Sequence, residues 1–410
     1  MKIYIIFTTQ VTNMGGAQMY NANKVRFLKN KGWNVFIFFP QSNGEVLIPE
    51  LKEYKNNIIP ELGIQLRFLT CSMKKAIYHR LDSCCRDAQE LVMESQVITS
   101  SFLVEEIAAH YSARHIINSF DERILLSYEN QNRFFEYKLR RWEFQNASER
   151  RLKQTFGTDY KDEYKLFENN MVFKCSNVVS DDADIHYSFA KADYSILSIA
   201  RLDKPYIMTM TEEIRKFSEI HSDKKLNVIY VGGSIQPGRV EEIRSVFKHL
   251  NNVNLYMLGY TFPVPRSIVE DADVAIAISN SVNVTADMDV PTIAVDNKDS
   301  MAIGVYGYDT ENKIFRTSEP AIPISILLEA VLLEGKYPRR GVYTNTMSDV
   351  NEAFEKDLSF IEKSKGNTGY YDVESLITLK NRVISRLVWW KYQIIDPSRM
   401  DPRKKRKYNL

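Results

Sequence analysis

Arg201 and Lys204 stand three positions apart, directly after the apolar run Ser195 to Ala200, in the stretch Ala200-Arg201-Leu202-Asp203-Lys204-Pro205. A guanidinium offers a planar fork and an ammonium a point charge, and the pair suits the oxygens of a departing diphosphate. The rival reading is a solvated charged turn. Gly15-Gly16 forms a second group, between a strand-like run and a helix-like one. Glycine there is expected to allow positive φ and a close-lying ligand, and the following helix would offer unpaired N–H groups to phosphate. A tight strand-to-helix turn would read the same way. Gly232-Gly233 closes another apolar run, Leu226 to Val231. The full G-x-G-x-x-G spacing is missing, and no G-x-S-x-G elbow or P-loop occurs. Nicotinamide-dependent, common hydrolase and kinase readings are thereby disfavoured.

Metal chemistry finds little support. The six histidines, His79, His110, His115, His186, His221 and His249, form no HxxxH or comparable pattern. Cys71, Cys84, Cys85 and Cys175 lack finger-like spacing and read as reduced thiols. Asp181-Asp182-Ala183-Asp184 near His186 is better read as a solvated loop or helix cap than as a cation site. No metal and no cofactor is expected.

The elements that must position these residues follow from the hydrophobic pattern. Lys2 to Thr9 is a β-rich run suited to burial on both faces. Ala17 to Asn30 carries Met19, Ala22, Val25 and Leu28 at three-residue spacing and predicts a helix that Gly32 closes; Trp33 to Phe39 predicts the next strand. Gln96 to Ser101 and His115 to Ser119 read as short strands around a helix over 102–111, a helix is expected around 136–152, and Met171 to Ser180 reads as a strand. A second series begins near Tyr194. It has strands at 195–200, 226–231, 253–258, 273–278 and 292–295, and helices at 208–220 and 240–250. Alternation of this kind, with Gly at strand ends, predicts parallel sheets that bind ligands at their carboxyl edges.

With 410 residues, the chain exceeds what one core usually organises. The expected division is 1–192, 193–374, and a terminal helix returning to the first domain with a basic tail over 375–410. An apolar fraction of 44% and a net charge of +2 mark an ordinary soluble composition and argue against nucleic acid as a partner. The last segment differs: from Ser375 onward ten Lys/Arg face two Asp, a local +8 that leaves about −6 on the rest. Val388-Trp389-Trp390, Tyr392, Ile394 and Ile395 precede Arg403-Lys404-Lys405-Arg406-Lys407. That order suits either an anionic membrane surface or a packed helix with a basic tail. Without a signal peptide or an 18-residue apolar span, a cytoplasmic protein is expected, with the inner face of the plasma membrane as its site of contact.

Several motifs, taken in order, resemble retaining GT-B glycosyltransferases such as those of bacterial capsule and lipopolysaccharide synthesis. Gly15-Gly16-Ala17-Gln18 is similar to their N-terminal glycine loop, and Ile199 to Lys204 to their "GRL…K" segment. Asn227 to Gly233, Asn254 to Gly259, Asp271-Ala272-Asp273 and Val290 to Ala294 resemble the strands that follow. The resemblance implies an α/β fold of two Rossmann-like domains facing across a cleft, with parallel sheets flanked by helices. It implies sugar transfer from a nucleotide diphosphate donor to a glycan or lipid-linked acceptor, with retention, in cell-surface polysaccharide synthesis. Arg201 and Lys204 would be catalytic. Gly15, Gly16, Gly232, Gly233, Asn283 and Thr285 would bind donor, and Gln18, Ser100 and Ser101 would lie on the acceptor side.

The departures are specific. The family's two Glu before the "GVP" strand have no counterpart in Ser279 to Asp287, where Val284 takes roughly the place of the second. Ser100 and Ser101 stand where a His often follows an N-domain strand. Two alternatives therefore stay open: a catalytically degenerate binding or scaffolding partner, and a nucleotide-sugar epimerase.

Overall fold

The computed structural model describes residues 1–42, 44–118, 120, 130–169, 179–180, 187–341, 347–364, 368–379, 382–383 and 387. The chain divides into two compact units. The first comprises residues 1–13, 20–172 and 353–410; the second comprises 14–19 and 173–352. The changeovers thus fall at 172/173 and 352/353, where the sequence had suggested 192/193 and 374/375.

The first unit is built on a parallel sheet. Its strands are β1 (Lys2–Phe7), β2 (Asn34–Phe38), β3 (Glu90–Ser95), β4 (Arg114–Asn118) and β5 (Phe144–Gln145), in the spatial order β2-β1-β3-β4-β5. β1 pairs with β2 from Ile3↔Asn34 and with β3 from Lys2↔Glu90. Every residue of β1 after Lys2 is buried, as expected of a strand covered on both faces. The helices are α1 (Gly16–Asn30), α2 (Cys71–Cys85), α3 (Ile98–Tyr111), α4 (Gln131–Arg140) and α5 (Glu149–Phe156). Gly32, at φ 79°, ends the turn after α1. Phe102, Phe134, Phe135, Phe144 and Tyr164 fill one core with Ile3, Ile5 and Met93.

Two sequence expectations need correction here. The stretch 96–101 is not a strand: the strand is β3, six positions earlier, and 98–101 open α3. β-branched residues in Val97-Ile98-Thr99 favoured a strand, whereas Glu90 and Glu94 disguised the real one. The single helix expected over 136–152 is two, α4 and α5, separated by β5.

The second unit begins, among the described residues after 172, with β6 (Val179–Ser180). It continues with β7 (Tyr194–Ile199), α6 (Tyr206–Ile220), β8 (Leu226–Val231), α7 (Arg239–Phe247), β9 (Val253–Met257), β10 (Val264–Pro265) and α8 (Arg266–Glu270). It closes with β11 (Val274–Ala277), α9 (Asn280–Ala286), β12 (Thr292–Val295), β13 (Ala302–Val305) and α10 (Ile324–Leu332). The main sheet runs β13-β12-β11-β7-β8-β9, parallel except for β13, which lies antiparallel to β12. Read from β9, this is the doubly wound Rossmann order. β8 is buried at all six positions. β6 and β10 form a separate short parallel pair.

A last helix, α11 (Met347–Ser364), brings the chain back to the first unit from Ala353 onward. There Phe354 packs against Tyr20 and Phe27, and Phe360 stacks on Trp142 with ring centroids 5.4 Å apart. Val373, Leu376 and Ile377 join the same core. The return is thus made before residue 388. The aromatic and basic stretch 388–410, the Asp181 to His186 cluster, Cys175 and the expected strand residues 171–178 lie outside the described residues.

Candidate functional site

In a doubly wound sheet, ligands bind outside the carboxyl ends of the strands, where the winding direction reverses. In the second unit that place lies between β7 and β11. β7 delivers Arg201 two residues beyond its last position. Arg201 Nη2 meets Asp203 Oδ2 at 3.3 Å, its side chain is 35% exposed, and its other N–H groups have no partner among the described residues. The turn is fixed from below: Ala200 N–H donates to Val231 O at 2.9 Å, Leu202 N–H to Gly233 O at 2.9 Å, and Lys204 N–H to Arg201 O at 3.2 Å. Leu202 anchors it in the core. Lys204 is exposed, one position before the turn into α6. The N-terminal N–H groups of α6 therefore open on the same edge, favouring negative charge.

The two glycines after β8 have a steric reason. Gly232 has φ 147°, and a Cβ there would collide with the Ala200 carbonyl; at Gly233 a Cβ would collide with the Tyr260 ring. Backbone and ring thus lie close where the strands end. Tyr260 Oη and Asp203 Oδ1 are both buried without a hydrogen-bond partner among the described residues. Burial first, and the nearby Asp203 charge second, push the Tyr260 hydroxyl upward. Arg201, Asp203 and Tyr260 thus bring a guanidinium and two buried oxygens to the same strand edge.

On the other side of the reversal, β11 leads through Ser279 into α9. Ser279 adopts φ 58° and ψ −125°, a strained conformation for a residue with a side chain. Its N–H donates to Lys313 O at 2.6 Å. Lys313 Nζ donates to Asn283 Oδ1 at 2.8 Å, and burial lowers the ammonium's pKa against the pull of Asp287 and Glu311. Sequence reading missed Asp203, Tyr260, Ser279 and Lys313. The first three carried a usable signal, since each lies within four residues of a strand end; Lys313 carried none.

No protein-family model matches the chain, and no curated protein matches it. Solved structures do. A UDP-N-acetylglucosamine 2-epimerase is similar at 12% identity and a TM-score of 0.52, covering 90% of this chain and 98% of that one. The HepE protein of Anabaena in complex with UDP gives 9% and 0.47 over 95% and 100%. The lipopolysaccharide outer core galactosyltransferase WaaB gives 14% and 0.44 over 94% and 100%. The fold is of the GT-B type.

Within this GT-B chain the remaining candidates divide sharply. Val284, which the resemblance puts roughly at the place of a second Glu, is 1% exposed and packs in the core with Met288 and Val290. A carboxylate there would face apolar side chains. Thr285 is fully buried, and its hydroxyl accepts from Thr292 Oγ1 at 2.8 Å and donates to Ser281 O at 3.1 Å. It ties α9 to β12, whereas Asn283 keeps partial exposure. Ser100 and Ser101 donate their hydroxyls back to Val97 O at 2.9 and 3.0 Å in the first turn of α3. Gly15, Gly16 and Gln18 fall in the 14–19 segment assigned to the second unit; Gln18 is buried. Neither Gly15 nor Gly16 has positive φ, so the conformational reason expected for them does not apply.

In the first unit, Ser95 Oγ lies 2.8 Å from His115 Nε2, and His115 Nδ1 lies 2.7 Å from Glu105 Oε2. The order resembles a hydrolytic triad, but all three side chains are fully buried and Lys138 Nζ also bonds Glu105 at 2.8 Å. Burial first, then Lys138, lowers the His115 pKa against the pull of Glu105. The array is a packed polar core. Among the described residues, no group of three or more His, Cys, Asp or Glu could hold a metal ion.

Proposed function

We propose that the chain is a glycosyltransferase that moves a sugar from a nucleoside diphosphate donor to a hydroxyl on a glycan or lipid-linked acceptor. The observation that carries this reading is Arg201, positioned at the β7–β11 reversal with donors to spare beside two orphaned oxygens. In such a transfer the bond from the anomeric carbon to the phosphate oxygen breaks, and negative charge grows on the departing diphosphate. A guanidinium already held in place, the N-terminal dipole of α6 and the exposed Lys204 would stabilise that charge without reorganising. Asn283 supplies an amide toward the donor where the family uses a carboxylate. The similar UDP-sugar enzymes support a nucleotide-sugar substrate and an enzymatic role.

The test is thermal unfolding of the purified chain with a panel of nucleoside diphosphate sugars, followed by product analysis with and without acceptors. Stabilisation by one donor, with transfer to an acceptor, supports the reading. Stabilisation with an epimerised sugar in the absence of acceptor would replace it by epimerisation. No stabilisation by any donor would leave a degenerate binding protein.

A further inference from the structure

Cys84 and Cys85 close α2 in the first unit, outside the proposed transfer site. Successive positions on a helix point about 100° apart, yet the two Sγ atoms lie 4.0 Å from each other. Both side chains have therefore turned toward one place. Both are free thiols, each 6% exposed, in the core cluster that also holds Ile77 and Leu81. Cys84 Sγ donates to Leu81 O at 3.1 Å, which leaves the Cys85 thiol as the donor within the pair. Ser83, Arg86 and Asp87 around them are exposed. The pair thus lies directly beneath the surface at a helix end, where local opening costs least.

Oxidation to a disulfide does not fit this pair. Disulfide-linked Cα atoms usually stand about 4.4 Å or more apart, whereas consecutive residues hold theirs at about 3.8 Å. Closing the bond would unwind the turn that Arg86 N–H to Asp82 O, at 3.1 Å, and Ala88 N–H to Cys85 O, at 3.2 Å, hold in place. A centre inserted between the sulfurs makes no such demand. With bonds of about 2.3 Å, the length of a zinc–thiolate bond, sulfurs this far apart subtend an angle of roughly 120° at that centre. Among the described residues no third His, Cys, Asp or Glu joins the pair as a metal ligand, so four-coordinate zinc does not suit it. Asp82, which accepts from Tyr111 Oη at 2.9 Å, stands on the same turn and opposes further buried negative charge. The fitting centre therefore takes both sulfurs in a neutral product. An organoarsenic oxide, R–As=O, does so. Two As–S bonds form, the two thiol hydrogens leave with the oxygen as water, and arsenic stays trivalent, so neither oxidant nor reductant is needed.

We propose that Cys84 and Cys85 form a bidentate dithiol site for trivalent arsenicals. Phenylarsine oxide added to the folded full chain tests it, read by intact mass and by thiol titration. The wild type should take up one equivalent and lose two titratable thiols. Excess 2,3-dimercaptopropanol should remove the adduct, and the same excess of 2-mercaptoethanol should not. Cys84→Ala and Cys85→Ala, each keeping one thiol of the pair, should bind roughly a hundredfold more weakly, because the second attachment is lost. Two separate variants keep the test open should one of them fail to fold. Cys71→Ser/Cys175→Ser should bind as the wild type does. An adduct that forms only in urea overturns the proposal. So does release by 2-mercaptoethanol, unchanged affinity in either alanine variant, or loss of the adduct in Cys71→Ser/Cys175→Ser.

Discussion

Replacing Lys24 by Met should cost the first unit about 3–5 kcal/mol, the range for removing one partner of a buried ion pair. Lys24 Nζ is 1% exposed and bonds Glu94 Oε2 at 2.5 Å, Asp357 Oδ2 at 2.6 Å and Tyr20 Oη at 3.1 Å. These three bonds use every ammonium hydrogen. Glu94 has further donors in Tyr4 Oη at 2.6 Å, Gln96 Nε2 at 2.9 Å and Asn118 Nδ2 at 3.2 Å. Asp357 has Lys24 as its one side-chain donor among the described residues, so removal of the cation strands its carboxylate most severely. Burial already raises the Asp357 pKa, Lys24 opposes the rise and Glu94 adds to it. A raised carboxyl pKa stabilises the fold below the unfolded value near 4 and loses that contribution as pH rises through the folded value. Without Lys24 the folded value rises further, because nothing then offsets burial, so the loss grows and extends to higher pH. Urea unfolding of Lys24→Met at pH 5 and pH 8, read by circular dichroism, should show the larger deficit at pH 8. A deficit below about 1 kcal/mol at both pH values, the size of an exposed pair, would refute the reasoning.

Glu105 has the opposite sign. Burial would raise its pKa, but the charge of Lys138 and the His115 bond outweigh it and hold the carboxyl well below the usual range. Its stabilisation is present above about pH 5 and lost as pH falls toward the much lower folded value, so Glu105→Gln should flatten the decline in urea midpoint between about pH 5 and about pH 3. Gly232→Ala should destabilise by roughly 1–3 kcal/mol or more, since φ 147° and the Ala200 carbonyl both oppose a methyl group; equilibrium denaturation measures it. Asn283→Ala should weaken donor binding by about 0.5–1.5 kcal/mol, the worth of one hydrogen bond, whereas Thr285→Val should leave donor affinity unchanged in titration calorimetry.

The regular alternation of the second series was legible because its strands are mostly apolar, and β8 and β9 run into Gly232 and Gly259. Arg201 could be found for the same reason: a motif directly after a clear strand has a defined place at the sheet edge. The first unit resisted where charge enters the core. Glu94 inside β3 makes sense only with Lys24, seventy positions earlier, and Asp357, from a helix far downstream. No local pattern announces such a triad. Thr285 looked available for the converse reason. Its spacing suggested a polar contact, but the α9 register turns it toward Thr292. Lys313 reaches Asn283 from a loop with no periodicity, which only tertiary structure reveals.

The most direct test of the central claim is calorimetric titration of a panel of nucleoside diphosphates into the wild type and Arg201→Ala. Arg201 as a charge-assisted donor to phosphate predicts a loss of about 1.5–3 kcal/mol, or roughly ten- to hundredfold in Kd, for the nucleotide that binds best, with an unchanged melting curve in its absence. Equal affinity of the two proteins would contradict the placement of a diphosphate at the β7–β11 reversal.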